Sequence, residues 1–154
     1  MKNIRCLYNN NVTRVLTMNG WYSSRKVDIA HYLSSLEGNG YIVNDHATNL
    51  LCNMGGLIIT HESYSAPEET DVTEINPVRP IGWLDSKWVH EVYEEIAQDT
   101  LCPVGLGFSE HMVFFMSSQG KLYGGYDDYF CLIGNDIENA LDNLFFKHQF
   151  IAMN

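Results

Sequence analysis

Residues 102 to 133, CPVGLGFSEHMVFFMSSQGKLYGGYDDYFCLI, offer no place for a helix to begin. Aromatic and β-branched residues fill the tract, glycines interrupt it, and Gln119-Gly120 supplies a turn, so it reads as three successive strands. Strands joined by tight turns run antiparallel, which commits this part of the chain to a meander. The same context removes a functional reading. Gly105 and Gly107 bracket a leucine as in a phosphate-cradling loop, but such a loop must open a helix whose free N–H groups face the anion. No helix begins before Asn135 and the third glycine is missing, so these glycines belong to a sheet, where they mark bulges or close backbone approach.

Helical patterns flank the tract. Residues 9–18 form a short helix capped by asparagine and ending near Asn19-Gly20. In VDIAHYLSSLEGNG the apolar positions Ile29, Tyr32, Leu33 and Leu36 recur at helical spacing, and Gly38 or Gly40 ends the turn. DHATNLLCNMGG repeats the pattern, with Asp45 as N-cap, Ala47, Leu50, Leu51 and Met54 as the buried stripe, and Gly55-Gly56 as the stop. A strand, LIIT, follows. From His61 to Asp85 the chain is acidic and irregular, interrupted by Pro67, Pro77 and Pro80 around a short strand at DVTEI. SKWVHEVYEEIAQD then predicts a helix burying Val89, Val92, Tyr93, Ile96 and Ala97, with His90, Glu91, Glu94 and Gln98 outward and Glu95 near the boundary. The last helix starts with Asn135 as cap and Glu138 as its capping-box partner, and buries Ile137, Ala140, Leu141, Leu144 and Phe145. This order predicts an α+β fold with helices packed on a largely antiparallel mixed β-sheet. At 154 residues the chain builds one domain, 1–154, with its core over about 20–147.

The formal charge is −10, and residues 62–99 alone hold ten acids against Arg79 and Lys87. Residues 1–26 carry Lys2, Arg5, Arg14, Arg25 and Lys26 with no acid. A field of that sign repels nucleic acid and suits a basic protein partner or solubility. Glu95 and Asp99 sit where acids oppose a helix dipole, so recognition or solubility, rather than local stability, accounts for them. No run reaches the length of a membrane span, and MKNIRCLYNNN lacks the apolar core of a signal peptide, which places the chain in the cytoplasm.

Cys6, Cys52, Cys102 and Cys131 are far apart and mostly set in apolar stretches, as reduced thiols are. The six histidines, at 31, 46, 61, 90, 111 and 148, make no HxH, HxxxH or HExxH spacing, so no metal site or cofactor is expected. Cys102 with His111, or Cys131 with His148, are conceivable nucleophile pairs, but an apolar strand favours an inert thiol. Ser109-Glu110-His111 is adjacent only in sequence, and triads assemble in space. Glu94-Glu95 and Asp127-Asp128 are i, i+1 pairs whose side chains diverge. No catalytic residue emerges.

Five blocks in order, GWYSSRKVD, NLLCNMGGLII, TEINP, CPVGLG and GKLYGGYDDYFCLIGNDIENALDNLF, together resemble the third group of the SUKH superfamily over roughly residues 20–145. Ser23-Ser24 stand where that group usually carries proline and glycine, and Ser118-Gln119 where an acid often precedes the hairpin glycine. The resemblance implies a Smi/Knr-like fold and a cytoplasmic immunity protein that binds and neutralises a cognate polymorphic toxin, often a nuclease, without catalysis. A regulatory or scaffolding module for an endogenous partner is the alternative, as in eukaryotic relatives.

Within either reading, acids and aromatics are the candidate contacts. Glu68, Glu69, Glu91, Glu94, Glu95, Asp127 and Asp128 are the expected charge partners of a basic toxin, and Trp83, Tyr126 and Tyr129 the expected anchors. Tyr64, Trp88 and Tyr123 cluster with them, and Trp88 is equally suited to the core. Trp21, Arg25, Gly55 and Gly56 are expected to be structural: the glycines stop a helix with positive φ, the tryptophan plugs the core, and Arg25 meets a carboxylate or carbonyl. The molecule is expected to be a monomer or weak homodimer.

Overall fold

The computed structural model of the chain describes residues 8–66 and 68–154; Lys2, Arg5, Cys6 and Pro67 lie outside the described residues. Seven strands form one sheet in chain order: β1 (Ile58–Glu62), β2 (Thr70–Glu74), β3 (Leu101–Gly107), β4 (Met112–Ser117), β5 (Leu122–Tyr126), β6 (Tyr129–Gly134) and β7 (Ile151–Ala152). Every neighbouring pair is antiparallel, so the sheet is not mixed. The meander has one strand more than expected, because Asp127-Asp128 closes a two-residue hairpin between Tyr126 and Tyr129 without the glycine that usually marks one. β7 was not expected either; two residues carry no readable alternation.

The helices follow the apolar stripes, with two of the expected caps displaced by one residue. α1 (Asn10–Met18) is capped by Asn9, whose side chain accepts from Val12 N–H at 2.8 Å. α2 (Ala30–Gly38) buries Tyr32 and Leu36. α3 (Asp45–Met54) is capped by Asn44, not Asp45, and a single turn, α4 (Val78–Ile81), follows β2. The Asn44 carbonyl oxygen accepts from Ala47 N–H at 2.8 Å while its amide donates to Met116 O at 3.1 Å, so one side chain starts the helix and fastens it to β4. α7 (Ile137–Asp142) is capped by Asp136, not Asn135; Asp136 Oδ1 accepts from Asn139 N–H, the Asn139 side chain accepts from Asn135 N–H one residue before the cap, and Glu138 takes no part. It continues through a π-helical turn, Asn143–Lys147, to His148. That turn approaches both β1 and β6. In a flat sheet these strands would lie roughly 24 Å apart, so the sheet curls around it.

The motif around Trp21 is a knot on the C-terminus of α3. Trp21 is buried and its Nε1–H donates to Asn53 Oδ1 at 2.8 Å; the Arg25 guanidinium donates to Asn53 O and Gly55 O, both at 2.9 Å. A cation thus satisfies carbonyls that a helix end leaves unpaired. Gly56 has φ +87, as expected of a stop, but Gly55 has φ −55. Gly55 is needed for space: a Cβ there would strike the Leu51 carbonyl and the Tyr32 ring.

Candidate protein-interaction groove

The acidic helix is continuous but irregular. α5 (Ser86–Trp88), capped by Asp85, runs through a π-helical turn, Val89–Tyr93, into α6 (Glu94–Ala97). The extra residue in a π turn rotates everything after it by about 100°. That exchanges two neighbours: Glu94, expected outside, is only 17% exposed, and Glu95 is on the surface. Glu94 Oε2 accepts from Leu101 N–H at 2.8 Å and Oε1 lies 2.9 Å from His90 Nδ1. The other ring nitrogen of His90 lies 2.9 Å from Gly40 O. Both partners are acceptors, so the doubly protonated ring fits best, and the Glu94 bond raises the His90 pKa above 6.5.

Asp99 likewise has a local task. It accepts from Ser118 Oγ–H, Gln119 N–H and Thr100 N–H. Burial pushes its carboxyl up, and these bonds, with one from Ser117, together outweigh that and hold it below the usual carboxylate range. It clamps the β4–β5 turn, so stability does account for this acid.

Tyr93 sits at the bend of the π turn and stacks on Phe130 at 4.8 Å between centroids; Phe130 stacks on Tyr123 at 5.1 Å. Its ring occupies the space a Cβ on Gly125 would need. The Tyr93 hydroxyl and Trp88 Nε1–H (3.1 Å) both donate to Asp127 O, holding the β5–β6 hairpin against the helix. Between helix and sheet lies a groove of about 1060 Å³. Its aromatic walls are Trp83, Trp88, Tyr93 and Tyr126, and its carboxylates Asp85, Glu110, Asp127 and Asp128; among the described residues no lysine or arginine lines it. Trp83 is 55% exposed, Tyr126 47% and Trp88 39%, so Trp88 is a wall of the groove, not core.

The rim is backbone held in an uncommon conformation. Phe108, Ser109 and Glu110 have successive φ values of +52, +58 and +67, and Asp127 has φ +51. Left-handed non-glycine residues cost roughly 1 kcal/mol or more each and persist where surrounding contacts over-determine them. Those contacts are present: Phe108 packs edge-on against Phe114, Phe150 and Tyr64, Ser109 N–H donates to Asp71 at 3.3 Å, and Glu110 pairs with Arg79, which also holds Glu74.

Of the candidate contacts, the fold gathers Trp83, Tyr126, Asp127 and Asp128 in this groove. Glu91 and Glu95 lie exposed on the helix outside it, and Glu68 and Glu69 in the β1–β2 loop. Tyr129 is half-exposed at the start of β6. Asp85, Glu110 and His111, absent from the candidates, join because two hairpin turns and a cap meet here. Nothing in local spacing signals that meeting.

The nucleophile pairs fare differently. Burial pushes the Cys102 thiol up to about 12, and Cys102 is five residues from the end of β3 at which His111 stands, about 17 Å along the strand. Among the described residues no group of three His, Cys, Asp or Glu side chains could hold a metal ion. No described helix is long and apolar enough to cross a membrane.

A comparison with protein-family models matches residues 8–146 to the SUKH-3 immunity protein family. No curated protein and no solved structure matches the chain.

Proposed function

The chain belongs to the SUKH-3 immunity protein family, and from that premise we propose that it neutralises one cognate toxin in the cytoplasm by covering it, without catalysis. The toxin is basic, as a nuclease that seeks nucleic acid would be. The observation that carries this is the acidic, aromatic groove, which no lysine or arginine lines among the described residues, on a chain of net charge −10. Opposite charge accelerates encounter, and exposed tryptophan and tyrosine supply the area that holds a complex together. Glu91 and Glu95 on the outer helix face, with Glu68 and Glu69 on the loop, steer the approach. Glu94 contributes less, its charge being matched by His90.

Co-expression with the toxin encoded by the adjacent gene tests the reading. Cells should survive, and the two proteins should co-purify in a fixed ratio. Death of the cells at the rate seen without this chain, at matched expression, would refute it. Replacing Glu91 and Glu95 together by lysine should slow association about tenfold at low salt and flatten its salt dependence, leaving the fold intact. Unchanged kinetics at both salt concentrations would remove the electrostatic part.

A further inference from the structure

We propose that the groove seats one arginine-bearing segment of the toxin, its guanidinium against the indoles of Trp83 and Trp88 and paired with the carboxylates of Asp127 and Asp128. The inference rests on the immunity reading and adds to it which surface anchors the complex and by what chemistry.

Three observations converge on a cationic occupant. The first is unspent charge. Glu110 is matched by Arg79 and Asp85 accepts from Lys87 N–H, whereas the carboxylates of Asp127 and Asp128 have neither hydrogen bond nor ion pair among the described residues. The second is the walls. An indole face attracts a cation, and a guanidinium, being planar and weakly hydrated, can stack on it while bonding a carboxylate through two N–H groups. Lysine offers only a point charge. The third is fixity: Trp88 and Tyr93 both hold the carbonyl of Asp127, so the two carboxylates are presented by a hairpin already pinned to the aromatic wall. A volume of about 1060 Å³ exceeds one side chain, so the neighbours of the arginine enter with it.

Titration with acetylated, amidated hexa-arginine, against the uncharged hexa-citrulline peptide of nearly the same shape and against hexa-lysine, reads this directly by calorimetry at low salt. Hexa-arginine should bind at least tenfold more tightly than hexa-citrulline and more tightly than hexa-lysine. Asp127→Asn with Asp128→Asn should weaken it at least tenfold; asparagine tolerates the left-handed backbone at 127, and an unchanged thermal midpoint confirms the fold. The same two-charge loss at Glu68→Gln with Glu69→Gln should weaken it less than threefold. Trp83→Ala should abolish the preference for arginine over lysine. Equal binding of citrulline, equal losses from the two double variants, or no binding by hexa-arginine would overturn the groove. In the survival assay, full protection by Asp127→Asn/Asp128→Asn would also overturn it while leaving the immunity reading intact. Absence of protection by the unaltered chain would remove that reading, and the peptide titration would still decide the groove.

Discussion

Arg25 bonds two carbonyls at the end of α3, and bonds from a charged donor contribute about 1.5–3 kcal/mol each when a buried partner would otherwise be stranded. Arg25→Ala should therefore lower unfolding free energy by about 3 kcal/mol in urea titration, the low end of the two-bond sum because the site is only part-buried, and Arg25→Lys should recover only part of it. The role was legible from the spacing of Trp21, Arg25 and the Gly-Gly stop; which acceptor Arg25 meets was not, since carbonyls leave no mark in a sequence. Histidines diverge in the same way. Burial pulls the His61 pKa below 6.5, outweighing the Glu62 carbonyl and Asp71, with His148 adding to the depression. The folded state keeps this ring neutral while the unfolded chain takes a proton, so its stabilisation is complete above pH 6.5 and is lost as pH falls below that value. His90 has the opposite sign: its stabilisation is complete below pH 6.5 and is lost as pH rises through its elevated pKa. At 38% side-chain exposure, solvent screens the His90–Glu94 pair and reduces this contribution. Ring-proton NMR titration should place His61 below 6.5 and His90 above it; the reverse order would contradict both environments.

Among elements, the helix from Ser86 to Ala97 shows where periodicity stops being informative. Val89 and Tyr93, the first and last residues of the π turn, were correctly inward, whereas Glu94 follows it and was misplaced by one position. A bulge of one residue is a tertiary response, here to Tyr93 reaching Phe130 over Gly125, and local spacing does not encode it. Gly125→Ala should press a methyl group into the Tyr93 ring, lowering stability by about 1–3 kcal/mol and releasing Trp88 and Tyr93 from Asp127 O, which a shift in tryptophan fluorescence would report. The caps erred by a single place for a simpler reason: Asn44-Asp45 and Asn135-Asp136 each offer two competent residues, and only the entry angle of the chain selects one. At the sheet margin, Asn19 uses its amide to accept from Thr60 N–H at 3.1 Å and donate to Thr60 O at 3.3 Å, imitating a further strand beside β1. Asn19→Ala should expose that edge to pairing between copies, seen as concentration-dependent association in light scattering.

For the whole molecule, the basic partner proposed above rests on charge and composition already visible in the sequence, whereas the groove needed the fold. Trp83, Tyr126, Asp127 and Asp128 stood out as aromatic and acidic residues in acidic surroundings; Glu110 and His111 entered only because the β3–β4 and β5–β6 turns close side by side. The proposed attraction to a basic toxin also predicts behaviour of the intact protein: its association rate with the toxin should fall about tenfold or more from low to physiological salt, with dissociation changing far less, as stopped-flow mixing would resolve. The left-handed run at 108–110 has a further consequence. A mould cast before its counterpart arrives surrenders almost no freedom on filling, so whatever fits is released reluctantly, and a cell guarded this way depends on long residence rather than on abundance.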